Sequence, residues 1–209
     1  DTFSTPQQDC SGGSTVCSSG TVNNASDYTG CSTDLNNTNM GCLSSQERQG
    51  TWYFFSPQST GNISFSIVPV NALGQPDDVD FDFALWGPMS AVTCPPTAAP
   101  IRCSYALPPV AGPWATGLAS GNVDLTEGAG GNGFVAPLSI GAAQVGMVYV
   151  LYVDNFNANG QAFNLTRGLA AANQLDCTLL PVSVIELGAH SEPTSVAVQW
   201  TAQNEASPS

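Results

Sequence analysis

The feature that most limits what this chain can become is the period of its apolar residues. They recur at every second position, and almost nowhere at every third or fourth. Ile63, Phe65 and Ile67 alternate with Ser64 and Ser66, the pattern of a strand with one face in a core and the other in water. Residues 51–55, Thr-Trp-Tyr-Phe-Phe, precede that strand, and residues 59–62 supply a turn, so the two stretches read as a hairpin. Val79, Phe81, Phe83 and Leu85 alternate with Asp80, Asp82, Ala84 and Trp86. Further strands are expected over residues 101–107, 134–140, 147–154 and 161–167, with a turn at 155–160 between the last two. Only residues 44–48 suggest a helical turn. Short strands punctuated by Gly, Pro and Asn predict an all-β fold, an antiparallel β-sandwich.

The composition shifts near Cys177. Residues 179–186 read as a new strand, residues 195–200 as another, and the polar stretch 188–194 as the loop between them. About thirty residues forming two strands are too few to bury a core of their own. The expected division is therefore a sandwich domain over 1–178 and a hairpin-like extension over 179–209. The extension packs on the main domain, belongs to a larger domain, or pairs with another molecule.

Charge excludes whole classes of partner. The chain has 3 Lys+Arg against 16 Asp+Glu, a net charge of −13. All three basic residues are arginines: Arg48, Arg102 and Arg167. Nucleic acid and anionic membrane surfaces demand a basic face that these residues do not supply. The longest apolar run, residues 145–153, falls short of the roughly 20 needed to span a bilayer as a helix, so no membrane insertion is expected. The polar N-terminus reads as a mature end after processing.

The seven cysteines form no Cys-x-x-Cys pair for zinc or haem, and His190 is the one histidine. Disulfides in an oxidising, extracellular setting are the better reading. The clearest pair is Cys94 with Cys103, which flank Pro95, Pro96 and Pro100 and would staple a short loop at its base. An odd count leaves one thiol free or paired to another chain.

Several motifs, taken together, carry a resemblance. They are Cys42-Leu43-Ser44-Ser45-Gln46-Glu47-Arg48 with Thr51-Trp52-Tyr53-Phe54, then Asp80-Phe81-Asp82-Phe83-Ala84-Leu85-Trp86-Gly87-Pro88, then Ile101-Arg102-Cys103-Ser104-Tyr105-Ala106. The glycine-rich stretch from Glu127 to Pro137 and Tyr149-Val150-Leu151-Tyr152-Val153-Asp154-Asn155-Phe156 complete the set. Their order and spacing over residues 9–167 resemble the ectodomain module of Bacteroidota surface and gliding-motility-associated proteins. That module is similar to CUB-like and pre-peptidase C-terminal β-sandwiches. Residues 180–205 resemble the start of the fibronectin-like segment that precedes type IX secretion sorting signals, with Ser183 in place of the usual Glu. The resemblance implies secretion, a jelly-roll-like fold and non-catalytic work at the cell surface.

Asp78, Asp80 and Asp82 stand two apart, which places three carboxylates on one face of a strand. Like charges so placed repel unless a cation or hydrogen-bond donors sit among them, so the pattern points to a hard cation, calcium, held by oxygen ligands. The competing reading has these acids capping turns in glycine-rich loops. The likeness to CUB-like domains, which often bind calcium through a Glu and two Asp, implies Glu47 and Glu127 as distant partners. Asp154 and Asn155, at a strand end, are further candidates. The Gly-rich stretch 127–133 is no phosphate loop, because a strand and not a helix follows it and no lysine is present. His190, in a polar stretch, gives no basis for a Ser-His-Asp triad. A glycosidase needs only two carboxylates, but the pattern shows no long aromatic-lined cleft. Trp52, Trp86 and Trp200 default to packing, while Trp114 is the ring most suited to stack on a glycan.

The leading expectation is a non-catalytic extracellular structural or adhesive protein of the cell surface. Its partners are other copies of itself or other surface proteins. In a filament, Val182, Val184, Ile185, Val196, Val198 and Trp200 of the extension would complete a sheet in the next subunit. The alternative is a calcium-dependent carbohydrate-binding module of a larger secreted protein.

Overall fold

Alternating residues become strands throughout the computed structural model, which describes residues 6–16, 21–24, 30–44, 47–107, 112, 114–169, 175–178, 183–191 and 196–203. In chain order the strands are β1 (Ser14–Thr15), β2 (Thr21–Asn24), β3 (Gly50–Phe55), β4 (Gly61–Val70), β5 (Phe81–Met89), β6 (Arg102–Ser104) and β7 (Thr116–Leu118). They continue with β8 (Thr126–Glu127), β9 (Phe134–Val135), β10 (Leu138–Ile140), β11 (Val148–Asn155), β12 (Ala162–Leu169), β13 (Ser183–Ser191) and β14 (Val196–Gln203). The helical elements among the described residues are single 3-10 turns at Pro6–Gln8, Cys10–Gly12 and Ala142–Gln144. Residues 45 and 46 of the expected turn at 44–48 lie outside the described residues.

The chain divides into two compact units, Asp1–Leu179 and Leu180–Ser209. In the first, one sheet runs β1-β3-β11-β5-β6-β8 and the other β2-β12-β4-β7-β9, with β10 also on β4. The long strands pair antiparallel, as expected, but the sheets are mixed: the two-residue strand β1 runs parallel to β3, β8 to β6 and β9 to β7. The stretch expected as one strand over 134–140 is two, β9 and β10, broken at Ala136 and Pro137. Proline has no N–H for a ladder. The Arg102 guanidinium fixes the break, donating from Nε to the Ala136 carbonyl (2.8 Å), from Nη2 to Pro137 (3.0 Å) and from Nη1 to Ile101 (2.8 Å).

The two sheets face each other across one core. Tyr53, Phe55, Phe81, Phe83, Leu85, Leu151 and Val153 from the first sheet meet Ile63, Phe65, Ile67, Leu138, Phe163 and Leu165 from the second. Phe65 packs edge-on against Phe83 with ring centroids 5.4 Å apart, and Tyr53 against Phe163 at 6.3 Å. Edge-to-face pairs of this kind add about 1 kcal/mol each beyond the area they bury.

The first sheet is covered on its other face as well. Trp52, Phe54, Ala84, Trp86, Val150 and Tyr152 point away from the sandwich and form a second core with Cys10, Leu35, Leu43 and Cys103. Every residue of β3 and β11 is consequently buried. The cover is the N-terminal segment, which has no regular strand of its own over residues 30–44 yet seals an aromatic face through a few apolar residues. The Trp86 indole N–H donates to the Asn39 carbonyl at 3.1 Å, fixing that segment over the sheet.

Two disulfides clamp the cover, and they correct the expected pairing. Cys94 bonds Cys10 and Cys103 bonds Cys42; Cys94 and Cys103 are not joined to each other. The reason is the facing of the side chains. Cys103 sits mid-strand opposite Ala84, on the covered side of the sheet, where Cys42 reaches it. The loop holding Cys94 meets the turn at Cys10. Cys177 is also disulfide-bonded, and Cys31 is exposed. Disulfides such as these belong to an oxidising environment.

The second unit is a two-stranded antiparallel sheet, β13 against β14. Leu187 pairs with Trp200, Ala189 with Val198 and Ser191 with Val196, and a bulge at Ile185 interrupts the ladder between Val184 and Glu186. His190, expected in a loop, is a strand residue opposite Ala197. The polar stretch is shorter than its composition suggested because the strand continues through it. Val182 lies outside the described residues.

Candidate cation-binding site

The covered face of the first sheet ends in acids. Asp82, the second residue of β5, stands directly opposite Asp154 near the end of β11. Alternation puts both on the side of Ala84 and Tyr152, beneath the N-terminal cover. Asp80 precedes β5 and is held by backbone bonds to the next turn: its N–H donates to Asn157 Oδ1 (3.0 Å), and its carbonyl accepts from the Phe156 N–H (3.0 Å). Glu47 arrives from the loop before β3, and its Oε2 accepts the Asp34 N–H at 2.7 Å.

Asp154 is the fixed point of the group. Its Oδ1 accepts three hydrogen bonds, from the Arg48 N–H (3.1 Å), the Gln49 N–H (2.8 Å) and the Tyr152 hydroxyl (2.9 Å). Gly50 makes room for the last of these. A Cβ there would overlap the Tyr152 ring and hydroxyl, so any side chain at 50 displaces the phenol from its acceptor.

Each of the four acids keeps one buried oxygen without a hydrogen bond: Glu47 Oε1, Asp80 Oδ1, Asp82 Oδ1 and Asp154 Oδ2. Asp82 and Asp154 are 3% and 1% exposed. The nearest cationic group, the Arg48 guanidinium, lies over the Phe156 ring, 4.6 Å from its centroid. The electrostatic result is uniform. Burial pushes Asp82 up to about 8, Glu47 up to about 7 and Asp80 up to about 6. Repulsion among the acids adds to this, from Asp80 and Asp154 on Asp82 and from Asp34 and Asp154 on Glu47. Burial also raises Asp154, opposed by its backbone donors at Gln49 and Arg48. Tyr152 is pushed well above its ordinary value, first by burial and then by Asp154.

Four carboxylates with spare oxygens, of which Asp154 alone feels the charge of Arg48 strongly enough to be lowered by it, fit the chemistry of a hard divalent ion, which takes oxygen ligands and completes its shell with water. Among the described residues no three His, Cys, Asp or Glu side chains close tightly enough to hold an ion as they stand.

The other candidates lie elsewhere. Asp78 is exposed, and its carboxylate lies against Gly112, where a Cβ would overlap it. Strand β5 begins only at Phe81, so of the expected three-acid face only Asp82 lies on the strand. Glu127 is two strands from Asp82, across β6. It caps the glycine-rich turn by accepting the Asn132 N–H at 3.0 Å, and burial raises its pKa, followed by its contact with Asp124. Asn155 is fully buried and donates to Asn159 Oδ1 at 2.8 Å. Trp114 is partly buried. Of the proposed assembly residues, Val184, Ile185, Val196, Val198 and Trp200 lie on β13 and β14. Sequence reasoning missed Asp34 and Tyr152: the first lies in a patternless segment, and the second reads only as core.

Comparison with protein-family models, with curated proteins and with solved structures finds no match to this chain. The functional reading therefore rests on its own residues.

Proposed function

We propose that the chain is a non-catalytic extracellular module, structural and adhesive in role, whose acidic end takes a divalent cation of the calcium class. The observation that carries this reading is the set of Glu47, Asp80, Asp82 and Asp154, each with one buried oxygen lacking any donor. These residues would hold the ion, which supplies positive charge beyond that of Arg48. An ion shared among them ties the loop of Glu47 to the ends of β5 and β11. The disulfide-clamped cover and the resemblance to Bacteroidota surface modules support a setting outside the cell. Partners in this reading are surface proteins, further copies of the chain, or glycans.

Calorimetric titration of calcium into chelator-treated protein tests it. One ion should bind, with a Kd on the order of 10⁻⁴ M, the range of extracellular modules. Asp82→Asn should weaken that binding at least tenfold. Absence of binding heat, together with a melting temperature unmoved by millimolar calcium, rules the cation out. A glycan array with and without chelator separates a sugar-binding module from a purely structural one.

A second reading concerns assembly. Strands β13 and β14 form a sheet of only two strands, marginal on its own, and a two-stranded sheet offers its outer edges to further strands. Filaments or oligomers lost on removing residues 180–209 support strand addition. Dispersed monomers with and without the segment refute it.

A further inference from the structure

Beyond β4 the chain turns at residues 71–75, and between β11 and β12 it turns at 156–161. Val70 and Ala162 lie opposite each other in the β4–β12 ladder, so the two turns stand side by side. Together they enclose a cleft of about 400 Å³, within the roughly 300–1,000 Å³ of small-molecule sites. Asn71, Asp77, Asn159 and Gln161 give it polar walls, and Val70 and Ala162 give it apolar surface. Gln49 ties the cleft to the acidic group: its side chain accepts the Gly160 N–H (2.8 Å), and its own N–H donates to Asp154 (2.8 Å).

Both walls are held by their own side chains. Asn71 Oδ1 accepts the Leu73 and Gln75 N–H groups (2.9 and 3.1 Å). Asn159 Oδ1 accepts from Asn155 Nδ2 (2.8 Å) and from the Gln161 N–H (3.2 Å). A site fixed before binding loses little freedom when it fills. Hydrogen-bonding capacity is left over. Asp77 Oδ1 accepts the Asp78 N–H (2.8 Å), and its Oδ2 accepts from Gln161 Nε2; a carboxylate has about four acceptor positions, so about two remain. Gln161 Nε2 and Asn71 Nδ2 carry two hydrogens each, and Asp77 takes one of the first pair. Neighbouring hydroxyls on a sugar ring both donate and accept, so they match a carboxylate set beside amides, while the C–H face of the ring suits Val70 and Ala162. Among the described residues no cationic side chain lines the cleft, so Asp77 disfavours acidic sugars. We propose that this cleft binds one neutral pyranose ring, with Asp77 accepting from adjacent hydroxyls and the Asn71 and Gln161 amides donating to them. The proposal rests on the adhesive reading of the module and gives its glycan partner a chemistry.

The test is proton–nitrogen NMR of the full chain, titrated with the methyl glycosides of glucose, galactose, mannose and N-acetylglucosamine, and with methyl glucuronide. At least one neutral glycoside should shift the side-chain amide signals of Asn71, Asn159 and Gln161. The Kd should be on the order of 10⁻³ M, the affinity that about a dozen heavy atoms reach at ordinary ligand efficiency. The glucuronide should bind at least about tenfold more weakly, and Asp77→Ala should weaken the neutral sugar by at least about tenfold, as loss of a charged acceptor does. Mapping on the wild type does not depend on the variant folding. No shift at these amides with any of the four sugars, shifts confined to other residues, an equal response to the glucuronide, or unchanged affinity in folded Asp77→Ala overturns the proposal. The titrations run in chelator and again in millimolar calcium. Cleft shifts in either condition support sugar binding even where calorimetry finds no cation, and their absence in both refutes it even where calcium binds.

Discussion

The buried acids make a quantitative claim about stability and pH. Asp82 carries a pKa near 8 in the folded chain because burial disfavours its charge, whereas in the unfolded chain it titrates in the ordinary carboxylate range. The folded state therefore binds the extra proton, and stability falls as pH rises from the ordinary range through the folded value. Below about pH 4 the group is neutral in both states and costs nothing. Between pH 5 and pH 7 the unfolded chain has released the proton and the folded chain has not. That difference amounts to about 3 kcal/mol from Asp82 alone. Glu47 and Asp80 act in the same direction by less, since both are more open to solvent screening. For a domain of this size the melting temperature in chelator should fall by roughly 6–12 °C from pH 5 to pH 7. Asp82→Asn should flatten most of that slope and melt higher than wild type at pH 7. Saturating calcium should restore the wild type at pH 7 and above, because a bound cation favours the charged form. Differential scanning calorimetry across pH 5–8, with and without calcium, reads all four cases. A chelated wild type whose melting temperature is flat or rises over that window refutes the electrostatic reasoning. A falling slope that calcium leaves unchanged refutes only the cation.

Other consequences are as direct. Non-reducing peptide mapping after acid-specific cleavage should recover Cys10 joined to Cys94 and Cys42 to Cys103, and Cys42→Ser should cost about 4 kcal/mol in denaturant unfolding, given the 61-residue separation that the bond closes. Arg102→Met strips three carbonyls of their charged donor and should cost about 2–3 kcal/mol by the same assay. Gly50→Ala should destabilise the fold by at least about 2 kcal/mol and move the Tyr152 fluorescence, since the new methyl group occupies the space of the phenol. Phe83→Ala, in the middle of the core, should cost about 3–5 kcal/mol.

Strands were legible in the sequence wherever one face was wet. Ile63, Phe65 and Ile67 alternate with serines and form half of β4. The same logic partly hid β3 and β11, which are buried on both faces and read as continuous apolar runs. The cover was not legible. Leu35, Leu43, Cys10 and Cys42 are too sparse to show a period, and their role depends on a sheet face that the local sequence does not describe. The disulfide pairing failed for the same reason: proximity along the chain favoured Cys94 with Cys103, while facing directions favour partners in the cover. In the acidic group, spacing placed Asp78, Asp80 and Asp82 on one strand face, but β5 starts at Phe81, so alternation was extended past its start. The nearness of Glu47 and Asp154 depends on strand pairing across more than a hundred residues, which no local pattern reveals.

The two clamps also decide how the molecule behaves under tension. A pull entering before Cys10 and leaving after Cys103 is carried through covalent bonds, and the 84-residue separation bridged by Cys10 and Cys94 cannot pay out. At an extended length of about 3.4 Å per residue, roughly 290 Å of slack stays locked. Strands β3, β4 and β5 lie wholly inside that locked span. Those strands cannot lengthen under tension until a reductant opens the clamp.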